Sequence, residues 1–484
     1  MKRIFSHPYT ALGAGLCLRL FFVFKFPANP SDTVLYEQIA TNWLKNHVYA
    51  MSVNGAVVPV DLRMPGYPAF LALVYAVTGR TGPDAHLWVM LAQVAVDLLG
   101  CVVIARLAAL LALRSGDETM RGRVYTAALW LAALCPFTAN YTAVPLTEVF
   151  ATLFTTGAIY FLVLQLRRVE RPDFRLQTTH SSKRRSAEYT GLGAGFLAGV
   201  GTLFRPETPL LLAAAALVLC WLLLRRGEGV RWFPMVFGMG IACLLPLAPW
   251  GVRNMVTLDD PQFLAPRNSN LPGELVPYGF MAWERTWLFR VRDCYLVPWK
   301  LNEETINVDD IPARAFDTPE EKERVAAILE PYNDDLTLNA AEDAAFGQLA
   351  RERTARHPLR TYAWLPVARA FAMWFTPRIE LLPLSGTVFP LAQSWEDDRV
   401  DQSVTIGFFF WNIFYVGLAA WGGLRLWRGN RAAQSAVVLL VVFILVRTAF
   451  LTTLETPEPR YVLVCFPAIL ALAAQVFARP TQPA

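Results

Sequence analysis

Charge is scarce in this chain. Of its 484 residues only 17% are Asp, Glu, Lys or Arg, while 55% are hydrophobic and 13% aromatic. A water-soluble globule needs more charge to cover its surface, so that class is excluded. Nucleotide-binding loops are missing as well: neither G-x-x-x-x-G-K-[ST] nor G-x-G-x-x-G occurs. The five histidines (His7, His47, His86, His180 and His357) show no metal-ligand spacing, which removes the case for a zinc site. Disulfides are not expected. Cys17, Cys101, Cys135, Cys220, Cys243 and Cys465 lie in apolar stretches, where Cys behaves as a small hydrophobe, and Cys294 stands alone in a polar one.

What is present is a series of long apolar windows, at 7–26, 86–113, 124–140, 147–166, 187–204, 207–224, 232–250, 404–424, 433–452 and 460–478. Each is close to the roughly 20 residues that span a hydrocarbon core. They predict an all-α polytopic membrane protein with about 10 to 12 transmembrane helices. The first window follows Lys2 and Arg3, but Arg19 and Lys25 break or flank its apolar part and no small-x-small cleavage site follows. It reads as an uncleaved helix.

Loop charge sets the expected orientation. The segment 167–185 holds seven basic residues against Glu170 and Asp173, and "RRGEGVR" (225–231) and "RLWRGNR" (425–431) are basic too. The positive-inside rule places these loops and both termini in the cytoplasm. The stretch 251–365 carries 19 acids and 13 bases, against a positive remainder, and is expected outside as one large extracytoplasmic segment. The division is then 1–250 as an N-terminal transmembrane module, 251–365 as the extracytoplasmic segment, and 366–484 as a C-terminal transmembrane region. Parity leaves one crossing between residues 27 and 113. The 14 residues of "GYPAFLALVYAVTG" are too few to span, so 27–85 is expected to be one outer loop with two short amphipathic helices on the membrane surface. The segment 358–403 starts and ends outside, as a re-entrant segment or a helical hairpin.

In this topology the unusual charges gather at one membrane face. Asp32, Asp61, Arg63, Glu148, Arg205, Glu207, Arg253 and Arg460 all fall within a few residues of an outer helix end. Charge at such depth is costly unless paired or hydrated, and it points to function. Carboxylates beside guanidiniums suit an anion held next to a general base, because Arg binds phosphate through a planar fork of donors.

The stretch "SDTVLYEQIATNWLKNHVYA" followed by "DLRMPGYPAFLALVY" resembles the first outer loop of the C-type (GT-C) glycosyltransferases. That superfamily includes the protein O-mannosyltransferases and the lipid A aminoarabinose transferases, which use polyprenyl-phosphate sugars. Asp32, Tyr36 and Arg63-Met64-Pro65-Gly66 carry the resemblance. "PLTEVF" (145–150), "FRPE" (204–207), "PWGVRN" (249–254) and "PRYVLVCFP" (459–467) follow in the expected order. The resemblance implies transfer of a sugar from a polyprenyl phosphate to an acceptor hydroxyl on a lipid, glycan or protein, with inversion. It implies Asp32 as base and Glu148 as a second carboxylate that orients the acceptor or binds a divalent cation. Arg63, Arg205 and Arg460 are then phosphate ligands, with Arg253 behind them, and Tyr36 and Asp61 complete the substrate-binding set. No nucleic-acid partner is expected, and the basic loops fit a bacterial inner membrane.

Plainer readings compete. Asp32 suits a helix N-terminus and Glu148 the dipole of another; Arg205 and Arg253 suit ordinary snorkelling positions. Asp97, inside "LAQVAVDLLG", needs a buried partner, for which Arg19 and Arg447 are candidates. The run "GLGAGFLAGVG" (191–201) reads as a close helix-packing face. A transporter or lipid flippase would share the helix count, but its site would lie towards the midplane and would not need a polar outer segment. An O-antigen-ligase-type enzyme would keep the reaction class with a different helix layout.

Overall fold

The computed structural model describes residues 7–112, 118–170, 182–227, 232–259, 262–266, 274–376, 398–429 and 433–478, with a few positions between 382 and 396. The chain forms two compact units. One takes in Met1–Arg267, Ile413–Ile444 and Leu463–Ala484; the other takes in Asn268–Asn412 and Leu445–Val462.

The first unit is a helical bundle. Its helices include α1 (Pro8–Lys25), α2 (Ser31–Asn46), α3 (Gly66–Thr78), α4 (His86–Leu111), α5 (Glu118–Ala133), α6 (Glu148–Val169), α7 (Ser182–Thr202), α8 (Leu210–Arg225) and α9 (Trp232–Leu258). Among the described helices six are long and apolar enough to cross a membrane: Gly82–Leu111, Glu148–Val169, Trp232–Leu258, Arg399–Gly429, Gln434–Leu451 and Pro459–Phe477. The other apolar windows are helical too. They are shorter, as in α5 and α8, or carry more charge, as in α1 and α7. The protein is an all-α polytopic membrane protein.

Local chemistry explains where the first unit's elements stop. α1 opens with Pro8, whose missing N–H costs nothing in a first turn, and closes on Lys25. α2 has Asp32 in its first turn and Lys45 in its last, each matching the helix dipole. It ends at His47, at φ 56°. Between α2 and α3 runs an antiparallel hairpin, β1 (Ala50–Val53) and β2 (Ala56–Pro59), which the apolar-window reading of 27–85 did not anticipate. Its turn is Asn54-Gly55, at φ 49° and 81°, the positive pair a tight two-residue hairpin requires. α3 packs one face inward through Tyr67, Leu71 and Tyr75, while Leu73 and Val77 stay exposed.

The basic loop residues also staple helix ends. Arg167 donates to Leu111 O at the end of α4, and Arg226 donates to Val169 O and Glu170 O at the end of α6. Arg425 donates to Val476 O and Ala478 O. These carbonyls have no partner within their own helices, and the positive charge suits that end of the dipole. The glycines of 191–201 do form a close-packing face: a Cβ at Gly195 would strike Met239 O, and one at Gly199 would strike Cys243 O.

The second unit holds α10 (Tyr278–Glu284), α11 (Pro319–Asp335), α12 (Ala340–Arg356) and α13 (Leu365–Phe375). α14 (Arg399–Gly429) and α15 (Gln434–Leu451) contribute residues to both units. Thr318 caps α11, and a capping box of Asn339 and Glu342 starts α12. Trp283, Trp287, Phe346, Leu329 and Tyr332 fill the core, and Cys294 is buried among them. Arg353 is fully buried, with Glu321 at 2.9 Å, Asp317 at 3.3 Å and the Thr286 hydroxyl at 2.8 Å. The choice between re-entrant segment and hairpin for 358–403 turns on 377–397, most of which lies outside the described residues.

Candidate functional site

Three ties between distant parts of the chain bring the charged residues together. The Thr33 hydroxyl donates to Pro145 O at 3.0 Å, setting the start of α2 against the loop that leads into α6. The Gly66 amide donates to Leu203 O at 2.8 Å, setting the start of α3 against the end of α7. A side chain at position 66 would collide with that backbone, so only glycine permits the approach. Phe204 then stacks on Phe150 with centroids 4.8 Å apart.

Asp32 sits in the first turn of α2 and accepts from Arg63 at 2.9 Å. Both side chains keep some exposure, 29% and 18% respectively. The Arg63 guanidinium also lies 5.9 Å from the Tyr36 ring centre. Glu148, the first residue of α6, is 2% exposed and pairs with Arg205, which also reaches the Thr147 hydroxyl at 3.1 Å and Glu207 at 3.5 Å. One buried carboxylate oxygen of Glu148 has no hydrogen-bond partner.

Tyr36 stands where these groups meet. Burial pushes its hydroxyl up to about 12; Arg63 and Arg205 pull it down, while Asp32 and Glu148 push it further up. Two carboxylates and two guanidiniums therefore act electrostatically on one phenol. Its ring packs edge-on against Tyr67, 5.1 Å away, whose own hydroxyl is raised chiefly by burial.

Arg253 and Asp61 lie in an adjoining cluster. Arg253 donates to Tyr49 O and Val60 O, which brackets the hairpin, and its guanidinium is 5.2 Å from the rings of both Tyr49 and Trp250. Asp61 acts on the Tyr49 hydroxyl, which donates to Arg63 O at 2.7 Å. Arg460 belongs to the second unit, where it pairs with Glu458 at 2.6 Å and lies over Tyr461.

Two buried groups near this site carry no assigned role in the sequence pattern. Glu37 pairs with His86 and accepts from the Tyr75 hydroxyl at 3.3 Å, which joins α2, α3 and α4. Gln93 links Tyr67 to the loop before Glu148. An amide amid "MLAQVAV" at helical spacing from Asp97 was the available signal. Asp97 itself pairs with Arg19, and Arg447 donates instead to Tyr461 O. Among the described residues, no group of three or more His, Cys, Asp or Glu is placed to hold a metal ion.

No protein-family model matches the chain, and no curated protein matches it. Solved structures are similar to it at low identity. The oligosaccharyltransferase AglB from Archaeoglobus fulgidus, in complex with an inhibitory peptide and a dolichol-phosphate, is 12% identical with a TM-score of 0.46. That match covers 96% of this chain and 50% of the other. ArnT from Cupriavidus metallidurans bound to undecaprenyl phosphate is 14% identical with a TM-score of 0.38, over 96% of this chain and 77% of that one. The chain spans about half the length of AglB.

Proposed function

We propose that this protein is a membrane glycosyltransferase that moves a sugar from a polyprenyl phosphate to an acceptor hydroxyl. The observation that carries this reading is the placement of the Asp32–Arg63 and Glu148–Arg205 pairs at helix ends that the Thr33–Pro145 and Gly66–Leu203 contacts draw together, with Arg63 5.9 Å from the Tyr36 ring. A sugar on a lipid phosphate already has a good leaving group. Transfer then needs a base for the acceptor proton and positive charge for the departing phosphate. Asp32 takes the proton as the acceptor oxygen bonds to the anomeric carbon. The bond from that carbon to the phosphate oxygen breaks, and the lipid phosphate leaves into the field of Arg63 and Arg205. Attack opposite the phosphate inverts the centre.

The Asp32–Arg63 pair suits this order of events. A donor phosphate competes with Asp32 for the Arg63 fork, and a carboxylate relieved of that partner is the stronger base. Glu148 orients the acceptor through its second oxygen. Tyr36, neutral at working pH, and Asp61 line the substrate side, with Arg253 as a further cationic group for the donor. The site faces the extracytoplasmic side of a bacterial inner membrane, with both termini cytoplasmic. Residues 1–250 form the N-terminal transmembrane module, and 251–365 form the extracytoplasmic segment in which acceptor specificity varies.

The test is mass spectrometry of lipids that co-purify with Asp32→Asn and with wild type in mild detergent. The expected outcome is a polyprenyl-phosphate sugar retained by the variant and consumed by wild type, with transfer reduced roughly 10²- to 10⁴-fold. An Asp32→Asn protein that retains no such lipid and still complements glycan synthesis in cells would overturn the reading in favour of a transporter.

A further inference from the structure

We infer that Gln93, buried in α4 and outside the reacting groups, is a positioning residue that holds Glu148 in register with Tyr36; the inference rests on the function proposed above. Gln93 is fully buried. Its amide nitrogen donates to Val144 O at 2.8 Å, to Thr142 O at 3.2 Å and to Tyr141 O at 3.5 Å. Its amide oxygen accepts from the Tyr67 hydroxyl at 2.7 Å. One side chain thus joins the loop before Glu148 to the ring against which Tyr36 packs.

Ala143 O accepts from the Ala28 amide at 3.1 Å, and Pro145 O accepts from the Thr33 hydroxyl. Together with Gln93, these bind each carbonyl from Tyr141 to Pro145 from outside the loop. Two residues later Thr147 and Glu148 meet Arg205. Carbonyls buried in an apolar bundle must be paired; Tyr141 O and Val144 O also accept from the Val144 and Leu146 amides, so it is at Thr142 O that the Gln93 donor most constrains where this backbone lies. A shift of about 1 Å in a reacting group can cost on the order of 100-fold in rate.

The chemistry at position 93 gives a distinctive test. Gln93→Leu removes all these hydrogen bonds at similar volume. Gln93→Glu keeps an acceptor for Tyr67 but can donate to the carbonyls only when protonated. Each full-length variant would be assayed in detergent with the polyprenyl-phosphate sugar recovered from Asp32→Asn, and amide exchange would be followed over residues 140–148. Gln93→Leu is expected to lower kcat by about 10- to 100-fold with KM for the lipid donor within about threefold, and to speed exchange in that segment. Gln93→Glu is expected to regain activity as pH falls, on a limb that wild type lacks. Wild-type kcat in Gln93→Leu, or unchanged exchange at 140–148, would overturn the inference. If Gln93→Leu fails to fold, the Gln93→Glu pH profile decides, and a profile parallel to wild type overturns it. Failure of the functional reading is a separate result, in which Asp32→Asn itself keeps full transfer activity.

Discussion

Two Arg–Asp pairs in the first unit are built from the same side chains and sit in opposite surroundings. Arg19 and Asp97 meet at 2.6 Å with 0% and 8% of their side chains exposed. The five guanidinium N–H groups of Arg19 face Asp97, Gly15 O, Ala133 O, Cys101 Sγ and Ala132 O. That pair is sealed. Arg63 and Asp32 meet at 2.9 Å with 18% and 29% exposed, beside a phenol and a second carboxylate–guanidinium pair. That pair keeps a solvent-exposed face. Access to solvent distinguishes a staple between helices from a candidate site; residue type does not.

The largest expected contrast comes from breaking each pair. Asp97→Ala leaves Arg19 charged and buried without its counterion and should cost about 3–5 kcal/mol. Asp32→Asn should cost under about 1 kcal/mol, as expected for a partly exposed pair. Unfolding of both variants in the same detergent measures this. Equal losses would remove the distinction drawn here, and an Arg19→Met/Asp97→Leu double variant should recover most of the larger loss.

A smaller effect belongs to Tyr36. Its hydroxyl is raised to about 12, from the ordinary tyrosine value of 10.0. The folded protein therefore holds a proton that the unfolded chain gives up. Stability from this group is complete below pH 10 and declines as pH rises from about 10 to about 12. Spectrophotometric titration should show a late phenolate step that Tyr36→Phe removes. A Tyr36 step at the ordinary tyrosine position would mean that the site is open to water.

The smallest effect lies in the second unit, on an exposed pair that serves as a control. Glu352 is lowered to about 2, first by its hydrogen bond from Arg324. A depressed carboxylate stabilises the fold above its unfolded value of about 4.3, and loses that contribution as pH falls towards 2. Arg324→Ala should weaken this acid limb slightly, and salt should mask the difference. A large effect from this pair would contradict the view that access to water discounts an ion pair.

Much of this was readable from residues alone. Apolar runs near 20 residues must be helices in lipid, because no other local structure pairs its own backbone there. Positive loops, the isolated Asp97 and the glycines at spacing four likewise followed from local pattern. The hairpin between α2 and α3 was readable in principle from Asn54-Gly55, but the apolar-window reading passes over a turn signal between short strands. Which arginine neutralises Asp97 could not be read from the sequence, since Arg19 and Arg447 were both candidates.

Sequence by itself determined the membrane class, the helical content and the set of charged residues at helix ends, because hydropathy and charge act over a few residues. Only the tertiary structure decided that Arg63 faces Asp32 while Arg205 faces Glu148, and that Gln93 bears on both Tyr67 and the loop before Glu148. Those pairings depend on close approaches between segments separated by tens to more than a hundred residues, such as Gly66 on Leu203 and Thr33 on Pro145. Such approaches are set by the packing of whole helices, which no local pattern encodes.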